Sequence, residues 1–516
     1  MLDLGSTYLQ SVERNPHAQA ITAGTLRLSY ADWFEKIKAV AGGLESMGLK
    51  KGDALAVVCQ NRWEMATVHW ACQFLGVMVT PLNWRSKADE LDYCLEDSGA
   101  KVLIYDASAA EAVQDSIAAM ALPRVCIDDD IAESQYFSAL LDATPIDGKP
   151  RATAEDFSLM LYTSGTTGKP KGVPRRHRHE RAAALAHVAQ NLYASGERTL
   201  GVMPLYHTMG VRSLLAMALI DGCFVCLPRF DVATALHLIE TEKVNNLYLV
   251  PTLYHDLLAH PSFPKTDISS VTKLGFAGAP MPESLLRRLD ESFKPELFVN
   301  HYGSSEVYTM SINQNARLKA GSSGRAGINC RLRVIKLGSV DPEDRTEPLE
   351  EGQIIADLNG DEAFEGYWNR PDANEKALHQ GWYLTGDTGY VDADGDLFVS
   401  GRVDDMMISG GENISPVDIE SLLSLHPSVD EVAVAGLHDE RWGQRVVAFI
   451  KRKGDVCADD LDTYCRNTDL ANFKRPRDYV FVNEIPKSPV GKILRRKLVS
   501  GEYELDQQNS PALDTN

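Results

Sequence analysis

The chain has 516 residues, too many for one compact core, so two to four folding units are expected. Its 72 Asp and Glu outnumber 52 Lys and Arg, and the net charge of -20, with no basic run to offset it, excludes general binding to a nucleic-acid backbone. Nine cysteines scatter from Cys59 to Cys465, and the one close pair, Cys223 and Cys226, sits in the apolar run CFVCLP, which reads as reduced structural thiols rather than a metal site.

The opening Met1-Leu2-Asp3 has no basic or apolar leader, which predicts no signal peptide and a cytoplasmic location. Ser29 is placed to cap a helix in which Trp33, Phe34, Ile37, Val40, Ala41 and Leu44 recur at spacings of three and four, with Gly48 ending it. A buried strand follows at ALAVVC, 54–59. The same alternation recurs at KVLIY (101–105), LMLY (159–162), GVMP (201–204), NLYLVP (246–251), KLGFAG (273–278) and LFVNHYG (297–303). Strands separated by helical patterns predict parallel sheets covered by helices, with ligands at the carboxyl ends of the strands. From about 320 to 402 the rhythm changes to short alternating segments with turn signals, which predicts a small antiparallel β unit. After Arg402 a helix from Ser415-Pro416, the strands EVAVAGL and RVVAFIKRK, and KILRRKL predict a separate unit of about 110 residues, and 501–516 read as a loose polar tail.

Residues 162–172, YTSGTTGKPKG, combine three glycines, two lysines and four Ser or Thr side chains at the end of a strand. Freed backbone N–H groups, hydroxyl donors and lysine charge describe a phosphate cradle. It is not a P-loop: Thr163 stands where the first glycine would be and Pro170 where Ser or Thr would be. Proline has no N–H for phosphate and biases Lys169 away from helical angles, so the loop does not lead directly into a helix.

LYTSGTTGKPKG is followed by YGSSE (302–306), YLTGD (383–387), GRVDDMMISGGENI (401–414) and PKSPVGKILRR (486–496). This series, in this order across nearly the whole chain, resembles the adenylate-forming superfamily, which includes acyl-CoA synthetases, adenylation domains of peptide synthetases and firefly luciferase. PLYH (204–207), RWGQ (441–444) and FKRPR (473–477) bring it nearest to aryl-CoA ligases of the 4-chlorobenzoate type. The resemblance implies an α/β fold: a large N-terminal part, 1–403, of two doubly wound sheets to about 320 plus a small β-barrel-like subdomain over about 320–403. It also implies a small, mobile α+β domain over 404–500, turning about a hinge at Asp404.

The implied reaction joins a carboxylic acid to AMP from ATP, with Mg²⁺, and then passes the acyl group to coenzyme A. On this resemblance Thr163, Ser164, Gly165, Thr166, Thr167, Gly168 and Lys171 embrace phosphates, Glu306 holds Mg²⁺, and Ser305 lies near the α-phosphate. Tyr302 faces adenine and Asp387 accepts from the ribose hydroxyls, with Gly278, Ala279, Pro280, His301 and Gly303 completing the nucleotide site. Arg402 assists at ribose or phosphate, and Lys492 reaches the α-phosphate and substrate carboxylate. Gly410, Gly411 and Glu412 border a pantetheine tunnel, and Trp442, Arg475 and Arg477 meet the CoA nucleotide. Arg477 stands where lysine is expected, which keeps the charge and changes its geometry.

Taken singly, these residues have plainer readings: Glu306 as a solvated rim carboxylate, Tyr302 as a core aromatic, Asp387 as a turn residue, and Lys492 as part of a solvated basic face. His207 reads equally as a satisfied structural histidine and as a residue that shapes the acyl pocket and gates carboxylate entry. That pocket is expected at His207, Thr208, Met209, Tyr248, Ala279 and Val307, a flat slot suited to an aryl or heteroaryl acid of benzoate, halobenzoate or furoate type. Arg212, inside the following helix, is expected to snorkel to the surface rather than meet a polar substituent. Other readings are an aliphatic acyl-CoA synthetase, an enzyme that loads a carrier protein, a luciferase-like monooxygenase and a non-catalytic nucleotide sensor. Intact Lys492 and Glu306 speak against the sensor. A homodimer is common for a chain of this size.

Overall fold

The structure is a computed structural model that describes residues 2–506 except 130, 132, 134, 164–168, 411, 469 and 488–492, and the backbone alone at Asp404 and Asn413. The helix Tyr30–Ser46 starts where its sequence directs: Asp32 N–H donates to Ser29 Oγ at 3.1 Å, and the Asp32 carboxylate accepts from Ser29 N–H. That reciprocal cap satisfies two donors that a helix start leaves open. Trp33 is buried on the inner face and its Nε1–H donates to Thr67 Oγ1 at 2.8 Å.

A six-stranded sheet has the order Arg124–Cys126, Ala100–Tyr105, Ala54–Val58, Met78–Leu82, Phe157–Thr163, Lys171–Arg176, parallel throughout except for the last pair. Strand period two sends Leu55 and Val57 to one core and Ala56 and Val58 to another, so both faces of the central strand are apolar and covered. The helices Tyr30–Ser46, Trp63–Leu75 and Thr208–Leu219 place Trp33, Trp70, Phe74 and Leu214 in one core with residues of this sheet and of the next, Ile21 and Phe224.

The second parallel set runs Leu297–Tyr302, Lys273–Phe276, Asn246–Leu249, Arg198–Gly201, Cys223–Cys226, Gln19–Ala23. The expected strand at 201–204 lies earlier, at Arg198–Gly201, and 202–205 is the bend that leads to His207. Antiparallel strands Ser311–Asn313 and Ser322–Ala326 carry the same hydrogen-bonded path on into Leu397–Arg402, Trp382–Val391, Gly352–Asp357 and Leu332–Ile335. The β-rich unit is therefore joined strand to strand with the second sheet rather than standing apart from it.

From Met407 onward the chain builds a core of its own, including Met407, Ile414, Ile419, Val434 and Ile450. Its sheet runs Glu412–Ile414, Met407–Ser409, Gly443–Arg452, Val429–Asp439, with Asp478–Phe481 parallel to Gly443–Arg452. The Ser415 hydroxyl donates to Ser400 O, and Arg495 pairs with Glu420 at 2.6 Å and Asp405 at 3.3 Å. The expected loose tail from 501 does not hold for 501–506: Arg452 pairs with Asp506 at 2.5 Å and Tyr503 packs on Phe449 with ring centroids 5.2 Å apart. A partner 54 residues away in sequence holds a segment whose own composition reads as coil. No helix among the described residues is long and apolar enough to cross a membrane.

Five histidines of the large unit, His69, His177, His179, His187 and His301, are buried. Burial pushes His69 down to about 3, His177 to about 4 and His179 to about 2, and holds His187 and His301 well below the ordinary imidazole range. The unfolded chain binds these protons near pH 6.5 and the folded chain does not, so stability is full above that pH and is lost as pH falls toward the folded values. Each such group removes about 1.4 kcal/mol per pH unit across that window. The melting temperature followed by circular dichroism is expected to fall steadily from pH 6.5 to 4.5, and a flat profile would contradict this.

Candidate active site

The phosphate-type loop connects antiparallel strands, with Thr163 opposite Lys171 and Tyr162 opposite Gly172. The segment thus joins one strand to another rather than a strand directly to a helix, as its proline implies; residues 164–168 themselves lie outside the described residues. Lys171 opens the return strand with its Nζ 4.1 Å from the centre of the Tyr367 ring. Burial pulls the Lys171 pKa down, and the charge of Glu306 opposes that pull.

Glu306 is a buried carboxylate, 5% exposed, whose Oε1 accepts from Tyr367 Oη–H at 2.7 Å. The turn that presents it is tight: a Cβ on Gly303 would lie 2.2 Å from Tyr308 O, so only glycine fits there. Beneath the turn, Arg175 donates from Nη1 to Glu306 O at 3.2 Å and Ser305 O at 3.4 Å, lies 4.1 Å from the Tyr308 ring centre, and pairs with Glu180 at 2.8 Å. Both side chains of that pair are fully buried. Sequence reading missed Arg175 and Tyr367; the one available signal was a charged residue inside the strand KGVPRR.

Tyr302 ends its parallel strand and donates to Asp387 Oδ2 at 2.6 Å, while Arg402 Nη1 donates to Asp387 Oδ1 at 2.8 Å. Asp387 and Arg402 face each other in register on neighbouring strands, and Gly386 at φ 74° makes the bend before them. A carboxylate has about four acceptor positions. Two are filled here by Tyr302 and Arg402, which leaves two open to other donors. Gly278 (φ 85°) and Pro280 are exposed and Ala279 half-buried, just past the end of Lys273–Phe276 at the same rim.

His301 does not join Tyr302, because adjacent residues of a strand point to opposite faces. It is buried against Tyr248 and His187, and its Nε2 meets Asn191 Oδ1 at 3.0 Å. His207 caps the helix Thr208–Leu219, its Nδ1 accepting from Met209 N–H at 3.3 Å. Burial first, and the charge of Arg212 second, push its pKa down to about 4, so it is neutral at pH 7. Thr208, Met209, Tyr248 and Val307 are all buried. Arg212 does not snorkel: it is 2% exposed, donating to Thr309 Oγ1, Tyr308 O and the Tyr248 hydroxyl. Its helix packs inside the large unit, so no surface lies within reach of the side chain.

In the small unit Gly410 stands at φ 61° in the tight turn between Met407–Ser409 and Glu412–Ile414, where a Cβ would come within 2.9 Å of the Trp442 ring. Trp442 and Glu412 are exposed. Arg475 is paired with Asp462, and Arg477 is exposed, its side chain donating to Asn472 O at 3.4 Å. Gly411, Lys492 and the Asp404 side chain lie outside the described residues.

The profile of the AMP-binding enzyme family matches residues 9–368, and that of the AMP-binding enzyme C-terminal domain matches 418–492. The chain is 32% identical to 4-chlorobenzoate–CoA ligase of Arthrobacter sp, over 97% of this chain and 95% of that one. It is also 32% identical to a long-chain-fatty-acid–CoA ligase of Mycobacterium tuberculosis, over 96% and 98%. Among solved structures, o-succinylbenzoate CoA synthetase of Bacillus subtilis superposes with TM-score 0.83 at 29% identity in complex with its acyl-adenylate intermediate, covering 95% of this chain and 97% of that one. The same enzyme with ATP and magnesium gives 0.82 at 28%, covering 95% and 98%.

The buried Arg175–Glu180 pair gives a direct test of the support under the Glu306 turn. Arg175→Met leaves Glu180 buried without its partner and is expected to destabilise the protein by about 3–5 kcal/mol. The double variant Arg175→Met, Glu180→Leu should recover most of that loss in chemical denaturation, and equal instability of single and double variants would contradict the pairing.

Proposed function

The chain belongs to the AMP-binding enzyme family and is an AMP-forming acid–CoA ligase, and from that premise we propose how its residues divide the reaction. In the first step a substrate carboxylate oxygen bonds to the α-phosphorus of ATP and the bond to pyrophosphate breaks. In the second, a CoA thiolate attacks the acyl carbon and AMP leaves. Two anions meet in the first step, so fixed positive charge and aligned donors carry the rate.

The observation that supports this division best is Asp387, held by Tyr302 and Arg402 with acceptor positions open to a ribose diol. The bond from Tyr302 also fixes its ring plane, which gives adenine a flat face that needs no reordering. Thr163 and Lys171, with residues 164–168, take the β- and γ-phosphates, and Ser305 lies by the α-phosphate. The rim residues Gly278, Ala279 and Pro280 enclose the adenine side. Glu306 offers a hard carboxylate oxygen, the ligand type Mg²⁺ takes, and its bond from Tyr367 orients it. Bound there, Mg²⁺ supplies neutralisation of phosphate charge. Lys492 brings the cation to the α-phosphate and substrate carboxylate in the first step.

His207, neutral and fixed by the helix N–H it accepts, borders the entry of the substrate carboxylate without adding charge. In the second step the small unit, from about 404 to 500, turns at Asp404 so that Gly410, Gly411 and Glu412 face the adenylate. The packing of Trp442 over Gly410 supports a narrow passage in which a larger residue would block pantetheine. Of the two arginines assigned to the CoA nucleotide, Arg477 is the more available, since Arg475 is engaged by Asp462.

The acid is an aryl acid of the benzoate class, supported by the 4-chlorobenzoate and succinylbenzoate enzymes among the relatives and by the flat aromatic Tyr248 in the pocket wall. Nine free cysteines support a reducing compartment, the cytoplasm, and a homodimer is the ordinary assembly for such chains. A panel of benzoates, heteroaryl acids and aliphatic acids of similar volume is expected to give CoA-dependent AMP formation with the first two groups; aliphatic acids alone would overturn the assignment. Carrier-protein loading predicts a phosphopantetheinyl protein preferred over free CoA in that assay.

Two variants test the residue roles. Lys492→Ala is expected to slow pyrophosphate exchange at least about 100-fold while thioester formation from preformed adenylate stays within a few-fold. Unchanged exchange would remove Lys492 from the first step. Asp387→Asn weakens hydrogen bonds to a charged acceptor, worth about 1.5–3 kcal/mol, and is expected to raise the ATP KM about tenfold or more. An unaltered KM would show that the ribose binds elsewhere.

A further inference from the structure

The buried guanidinium of Arg212 is the strongest feature that the reaction scheme leaves unused. On the helix Thr208–Leu219 it lies four residues from Thr208 and three from Met209, so it shares their face. Its Nη1 donates to Thr309 Oγ1 at 2.6 Å and to Tyr308 O at 3.2 Å, and its Nη2 donates to the Tyr248 hydroxyl. It therefore joins three segments that carry the acyl site: the helix after His207, the strand Asn246–Leu249 and the turn after Glu306.

Its charge is poorly matched. Among the described residues Arg212 forms no salt bridge, and its Nε has no hydrogen-bond partner. The buried carboxyl that feels its charge, Glu362, is pushed up by its own burial to about 7 and offers only a partial counter-charge. Close by, the rings of His187 and His301 pack against Tyr248, tilted and edge-on, with centroids 4.8 and 5.0 Å away, and His187 Nε2 and His301 Nδ1 also lack partners among the described residues. A cation and several polar atoms buried without full satisfaction are costly in an interior that needs only to be packed. They suit a place where a ligand brings the missing acceptors.

We infer that Arg212, with the Tyr248 hydroxyl, determines acid specificity, and that the substrate is an aryl acid carrying a hydroxyl or carboxylate on the ring end away from the carboxyl being activated. The inference rests on the aryl-CoA ligase reading above and adds the polarity of the far end of the acid. Arg212 stands five positions after His207, at the carboxylate entry, a rise of about 7.5 Å along the helix, which is the scale of one aromatic ring with its para substituent. A purely structural role, tying three segments together, would affect all acids alike. A recognition role would not.

The test compares kcat and KM for benzoate, 4-hydroxybenzoate and terephthalate in the wild type, Arg212→Met and Tyr248→Phe, using CoA-dependent AMP formation. The wild type is expected to favour at least one para-substituted acid over benzoate by tenfold or more in kcat/KM. Arg212→Met should erase that preference, mainly through KM, while benzoate changes less than about threefold. Should Arg212→Met fail to fold, Tyr248→Phe keeps the ring and removes only the hydroxyl, and it should narrow the preference about fivefold. No preference in the wild type, or an equal loss on every acid in the soluble variants, overturns the role of Arg212. Failure of every aryl acid in the wild type while aliphatic acids react overturns the function reading itself, a distinct outcome.

Discussion

Asp387 is the carboxylate on which the site is strung. One oxygen takes the Tyr302 hydroxyl from the end of a parallel strand, and the other takes Arg402 from the end of Leu397–Arg402, just before the chain crosses into the small unit. Two strand ends and the middle of the strand Trp382–Val391 are thereby brought to one rim. The pairing is half-buried rather than surface-exposed, so it is screened less than an ordinary surface ion pair. Because the two parts of the large unit share one hydrogen-bonded sheet path, this rim rests on continuous strand pairing.

Below that rim the interior is unusually polar. Arg175 with Glu180 supports the Glu306 turn, and Arg212 with Tyr248 and Thr309 crosses the acyl region. Burial keeps His187, His207 and His301 neutral, so among the described residues the cations here are the arginines and Lys171, whose own pKa burial lowers. The division is physically sensible: lasting positive charge sits chiefly on guanidinium groups, and imidazoles serve as shape and as hydrogen-bonding partners.

What could be read in advance depended on how local the cause was. The Ser29 cap, the strand at 54–58 and the absence of a helix directly after YTSGTTGKPKG follow from short-range sterics and hydrogen bonding, and they were legible. Tyr302, Asp387 and Glu306 were legible only as a motif series, since each alone reads as an ordinary turn or rim residue. Arg212 was misread because its partners, Tyr248 and Thr309, lie 36 and 97 residues away, and a lone arginine on a helix ordinarily seeks water. Arg175 and the segment 501–506 were missed for the same reason, each held by a contact with a distant part of the chain.

A crystal structure with a non-hydrolysable aryl-adenylate mimic tests the central claim most directly. It should show both ribose hydroxyls on Asp387, adenine against the Tyr302 ring, and the aryl group between His207 and Arg212. A nucleotide bound elsewhere, with the bonds from Tyr302 and Arg402 to Asp387 intact and no ligand atom on that carboxylate, would contradict it.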